Sequence, residues 1–213
     1  MSSKVAVSRA IDKLQTERRA LIEDFRPLNQ AQLDFKPGRS SWSVGEVVDH
    51  VRRAEDLMTG YMRELLQQGR STGKGYKSVG IKELPFGVAF VPDVLMLFPP
   101  VLQSMSMALR FSPPALRSFL FANPLVKLKA SPRMLPMWGI PRSELIKSIE
   151  KVRTSTVKML EESYTMDLTR FRFDHPILGD HNIYSLLELM GGHDQRHRVQ
   201  IRAIKSHRNF PKS

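Results

Sequence analysis

His193 and His197 stand four residues apart in a stretch of helical periodicity near the C-terminus, so both imidazoles project from one side of that helix. Two rings so placed can grip a single ion. The stretch reads as a heptad seam of Leu186, Met190, His193, His197, Gln200 and Ile204, whose apolar members mark the face turned toward a core. Burying unpartnered polar groups costs a few kcal/mol each, so the two imidazoles and the amide require partners. His50 supplies a third nitrogen. It follows Val47 by three residues and precedes Ala54 by four, which puts it on the inward stripe of another helix.

One imidazole from one helix and two from another can make a three-nitrogen facial site. Nitrogen donors suit zinc, nickel, iron or copper, and three histidines with open positions is an arrangement used by catalytic zinc. An ion held this way lowers the pKa of a bound water toward neutrality and so yields a nucleophile. The alternative is a set of core histidines held only by hydrogen bonds, and spacing alone leaves both readings open. The chain contains no cysteine, which excludes disulfides, thiolate zinc sites and a cysteine nucleophile.

Other polar residues near these positions carry weaker signals. Glu46, one turn before His50, could orient its ring; it is also the acid of a capping box, Ser43-Val-Gly-Glu46, and that role is favoured. Gln200, one turn beyond His197, could meet an ion-bound water or bond a neighbouring helix. Arg196 and Arg198 leave the seam; they could attract an anionic substrate, with a solvated basic face as the default. His175 and His181 flank the loop before the last helix, where His181 is expected to face solvent, and His207 falls in its last turn.

Four helical stretches must position these groups. The first carries Ile11, Leu14, Arg18, Leu21 and Phe25 at heptad spacing and ends before Pro27. The second runs from about Ser43 to Gln68, the third from about Ser143 after Pro141, and the fourth from Asn182, a candidate N-cap, toward His207. Little reads as alternating strand. The expected fold is all-α, a four-helix bundle forming a single domain over residues 1–213, with an insertion at 69–140 between helices 2 and 3.

That insertion is Pro-rich, apolar and basic. Asp93 is the only charge between Leu84 and Leu109, and ten prolines fall between Pro85 and Pro141. From Arg70 to Ile140, nine Lys or Arg against Glu83 and Asp93 leave +7 of the chain's net +12. The longest uncharged run, Val94 to Leu109, is 16 residues and includes Pro99-Pro100, short of the roughly 20 a spanning helix needs. A lid, a dimerisation arm or peripheral contact with an anionic lipid surface remains. Basic charge also suits nucleic acid, but no run of Lys or Arg interleaved with aromatics and no reading motif supports it. The N-terminal MSSKVAVSRAIDKLQTERRA has no apolar segment and carries acids, so it is not a secretory signal. A cytoplasmic location fits that and the lack of cysteine.

Several marks occur together and in order: Trp42-Ser43 before the helix bearing His50, His175-Pro176 with Gly179, His193-Asp194-Gln195-Arg196-His197, and Gln200-Ile201. In these the chain resembles the DinB-like, or YfiT-like, family of metalloenzymes, over roughly residues 5–68 and 141–207. Most of the insertion departs from the compact family pattern. The resemblance implies a helical bundle with a divalent ion, zinc or nickel, on His50, His193 and His197. It also implies an enzyme: relatives include bacillithiol transferases and mycothiol-dependent maleylpyruvate isomerase, which use low-molecular-weight thiols. The expected function is therefore activation of a thiol cosubstrate or water for transfer or hydrolysis of a small molecule. A non-catalytic protein that binds an acidic lipid or amphiphile through the insertion is the alternative. The resemblance and the apolar insertion together point to a homodimer.

Overall fold

The structure, a computed structural model, describes residues 3–78, 132–175 and 179–212. The apolar run 84–109 and most of the insertion lie outside the described residues. The chain is mostly helical. Its elements are α1 (Ser3–Phe25), α2 (Gln30–Asp34), α3 (Val44–Gln68), β1 (Gly75–Ser78), α4 (Arg142–Glu161), β2 (Phe171–His175), β3 (Gly179–Asn182) and α5 (Ile183–Lys205). Single 3-10 turns at Pro132–Met134 and Leu168–Arg170 complete them. Among the described residues no helix is long and apolar enough to cross a membrane.

Local chemistry sets the helix starts. Ser43 accepts from the Glu46 amide and Glu46 returns the bond to the Ser43 amide, closing the capping box at α3. Asn182 caps α5 by accepting from the Ser185 amide. A third cap, Asn29 with Gln32, starts the short α2 directly after Pro27.

The all-α expectation needs one addition, a small sheet in the order β1-β2-β3. β1 runs parallel to β2 and β2 antiparallel to β3. Phe171 and Phe173 alternate inward from β2 and are fully buried, while Arg172 stays outside and pairs with Asp180. The sheet lies tight against the end of α3. A Cβ on Gly69 would overlap the Phe171 ring, and one on Gly75 would stand 2.6 Å from the Leu65 carbonyl oxygen.

The four long helices pack on one another: α1 lies against α5 and α4, and α3 lies against α4 and α5. Their core is divided. One apolar cluster gathers Leu14, Met62, Leu65, Leu160, Phe171 and Leu186, and the other Leu21, Phe25, Val47, Val51, Ile149 and Ile201. Between them in sequence, on every helix, stands one charge: Arg18 on α1, Glu55 on α3, Arg153 on α4 and Asp194 on α5. Arg18 donates to Asp194 at 3.0 Å and to Glu55 at 2.5 Å, and Arg153 donates to Glu55 at 2.7 Å and to Asp194 at 3.1 Å. The Nη1 groups of Arg18 and Arg153 donate to the carbonyls of Ile149 and Leu14, and the Thr156 hydroxyl donates to Glu55.

All four charges are buried, and burial alone would push Arg18 down and Glu55 up. The opposite charges outweigh it: Arg18 ends above its ordinary value and Glu55 below. Because each arginine serves both acids, neutralising one acid leaves two buried cations sharing a single carboxylate. Asp194→Asn is therefore expected to destabilise the protein by about 3–5 kcal/mol, read from the midpoint of urea unfolding; a loss below about 1 kcal/mol, the scale of an exposed pair, would show that the four charges do not act as a unit.

Candidate metal centre

α5 turns its histidines differently from the heptad reading. Leu186, Met190, His197 and Ile204 of the expected line are buried, but Asp194 and Ile201 take the inward places expected of His193 and Gln200. The two arginines that meet Asp194 make its inward position tolerable. His197 is buried as expected, while His193 and Gln200 lie at the edge of the buried face, partly exposed.

His50 comes in from α3, nearly two turns after the capping box, and is buried. Its ring centroid stands 5.2 Å from that of His193 and 4.9 Å from that of His197, and the latter two are 4.4 Å apart. One donor nitrogen from each of the three lies within 4.8 Å of the others, so the cluster could hold a metal ion. Trp42 leans on the His50 ring at 4.8 Å, centroid to centroid.

The hydrogen bonds prepare two of the rings. His50 Nδ1 donates to the Met134 carbonyl at 2.8 Å, and His197 Nδ1 donates to the Gln200 side-chain oxygen at 2.8 Å. With the proton held on Nδ1, each ring keeps its Nε2 lone pair as the free donor. The Nε2 atoms of His193 and His197 are 3.1 Å apart. Two nitrogens bound to one zinc at about 2.0–2.1 Å, in tetrahedral to octahedral geometry, are separated by roughly 2.8–3.4 Å. The α5 pair is therefore spaced to share one metal ion without rearrangement.

Burial also keeps these rings neutral, as a ligand must be. It lowers His50 and takes His193 well below the usual imidazole range; the positive charge of Arg196 adds to both. His197 falls to about 3, chiefly through burial.

The neighbouring candidates find their places. Glu46 serves the cap and pairs with Lys36 at 2.8 Å. Gln200 orients His197 rather than reaching another helix. Arg196 is half-buried and its charge reaches all three imidazoles. Arg198 does not form a solvated face; it pairs with Glu17 and Asp24 of α1. His181, expected in solvent, is buried, with Nδ1 at 3.2 Å from the Ser185 hydroxyl, because β3 tucks it under the start of α5. His175 ends β2, its backbone in register with Gly179. His207 lies just beyond α5, beside the Phe35 ring.

Two contributors went unread in the sequence. The Met134 carbonyl belongs to the return of the insertion, and a backbone oxygen has no residue-type signature. Asp49, next to His50, is buried and accepts from Arg52, Arg53 and the Met137 amide. Burial alone would raise its pKa, but these donors outweigh that and lower it. It thereby pins residues 132–140 to α3 beside the histidines.

A family model, described as the DinB superfamily, matches residues 13–201 and takes in all three histidines. The chain belongs to the DinB superfamily. No curated protein and no solved structure gives a significant match. This DinB-superfamily chain thus carries a largely buried three-histidine cluster in which the His50 and His197 tautomers are set by carbonyl oxygens from two different sources.

The low pKa of His197 has a consequence for acid stability. An unfolded histidine titrates near 6.5, whereas the folded ring stays neutral to about 3. Between those values the unfolded chain binds a proton the folded chain refuses, so stability falls as pH drops through that window. The melting temperature of metal-free protein should decline from pH 6.5 to 4, and less steeply in His197→Asn; equal slopes would mean the ring is not held neutral.

Proposed function

We propose that the protein is a metal-dependent enzyme whose site is His50, His193 and His197 with a divalent ion, zinc or nickel. The observation that carries this reading is the convergence of three neutral imidazoles, two with Nδ1 bonded to a carbonyl oxygen, within 4.8 Å. When bound, such an ion would lower the pKa of a thiol cosubstrate or of water and so provide the nucleophile a chain without cysteine lacks. The chain's own residues do the rest. Met134 and Gln200 fix the ring orientations, Trp42 shields the His50 ring from water, and the partly exposed His193 marks the side open to a small-molecule substrate.

Transfer from a low-molecular-weight thiol, or hydrolysis by water, is the reaction class this reading gives. It takes the four long helices as a four-helix bundle, residues 1–213 as one domain with insertion 69–140, and the working protein as a cytoplasmic homodimer. An orienting hydrogen bond on two of the three rings supports this reading, because a ligating histidine bonds its other ring nitrogen to an oxygen acceptor.

Plasma mass spectrometry on untagged protein tests it. Wild-type protein should carry about one divalent ion per chain, with the ion lost in both His50→Ala and His193→Ala while the helical content is kept. Wild-type protein that takes up neither zinc nor nickel on reconstitution would falsify the proposal and leave the cluster a structural feature of the core.

A further inference from the structure

Leu135, Met137 and Trp138 are 51, 59 and 61 % exposed, three of the six large apolar side chains that stand open to water among the described residues. A single exposed apolar residue is ordinary, but three within four positions make a patch, and a patch marks a contact surface. Its backing is tied down. The Met134 carbonyl accepts from His50 at 2.8 Å and the Met137 amide donates to Asp49 at 2.9 Å, both on α3. The Trp138 indole N–H donates to the Asp34 carbonyl at 3.2 Å, and the Ile140 carbonyl accepts from Gln30 at 3.2 Å, both on α2. Side chains presented on a pinned backbone lose little further freedom when something covers them.

Two features specify what covers this patch. The first is charge. Asp49, which holds Met137, also accepts from Arg52 at 2.9 Å and from Arg53 at 2.7 Å. One carboxylate serves two guanidiniums, so an unbalanced positive charge stands at the foot of the patch, and both arginines are partly exposed. None of the residues 94–143 is an acid and six are Lys or Arg, in a chain of net charge +12. The second is the supply of donors. Pro136 has no amide hydrogen, and the Met137 amide and the Trp138 indole N–H are already given away within the protein. A donor left unpaired in hydrocarbon is costly, and these positions bring none. A protein partner could offer acceptors for such donors; the acyl layer of a membrane cannot.

We propose that Leu135, Met137 and Trp138 form a docking foot that enters the boundary between headgroups and acyl chains of an anionic lipid surface, drawn there by the charge of Arg52 and Arg53. This narrows the lipid contact considered for insertion 69–140 to four residues at its return. It is independent of any ion at the three-histidine cluster.

Untagged full-length protein is tested against vesicles of phosphatidylglycerol and phosphatidylcholine in equal parts, and against phosphatidylcholine alone, by sedimentation and by tryptophan emission. Trp138 is one of two tryptophans, so its share of the emission is assigned by comparison with Trp138→Phe. Wild-type protein should bind the anionic vesicles about tenfold more tightly than the neutral ones, and less tightly as salt rises. On binding, the Trp138 emission should move to shorter wavelength and be quenched by brominated acyl chains. The double variant Leu135→Ser with Met137→Ser should bind about tenfold more weakly, with helical content and melting temperature unchanged because both side chains are exposed. No binding to anionic vesicles, equal binding to neutral ones, or binding that leaves Trp138 unquenched overturns the proposal. Undiminished binding by the double variant also overturns it. So does a blue shift that follows protein concentration without vesicles, which would make the patch a contact between copies of the chain.

Discussion

Four buried charges, one from each long helix, constrain everything else in this protein. Arg18, Glu55, Arg153 and Asp194 sum to zero, and each arginine bridges both acids. Taking such ions out of water costs several kcal/mol each, and mutual attraction recovers that only when the geometry is complete. The network is therefore better understood as a register device than as a source of net stability. Apolar side chains on either side of it would tolerate a helix sliding by one turn. Charges would not, because a slip buries a guanidinium without its carboxylate.

That register decides the geometry of the histidines. Asp194 adjoins His193 in the chain, so fixing its carboxylate on two arginines fixes the rotation of α5. With that rotation His197 turns inward, His193 lies at the edge, and their Nε2 atoms come within 3.1 Å. From the other side, the capping box sets the start of α3 and with it the level of His50. The strand of chain at 132–140 then closes over α3 through Met134 and Met137. Packing, electrostatics and the site are thus linked through neighbouring residues on two helices.

Much of this was legible in the sequence because it is local. The Ser43–Glu46 box, the Asn182 cap and the inward spacing of His50 each depend on residues within a turn or two. Non-local features were not legible. Arg18 and Asp194 are 176 residues apart in sequence, and nothing near Asp194 distinguishes it from a surface acid, so its inward place was assigned to His193. Arg18 itself stood on the heptad line of α1, a charge among core positions, and that was the available clue. The sheet escaped for a different reason: FRFDH alternates, but a five-residue strand is too short to establish a period. The Asn29–Gln32 cap of α2 was written in the sequence, on a helix of one turn.

The two halves of the histidine cluster differ in where their orienting partners originate. His197 takes its partner Gln200 from three residues away on its own helix, and His193 is one turn before it. His50 takes its partner from Met134, 84 residues distant. Short-range contacts close at lower entropic cost and ahead of long-range ones during folding. The α5 pair of imidazoles is thus set in place once a single helix has formed, before any long-range contact is made. Docking of α3 then brings in the third ring and completes the cluster.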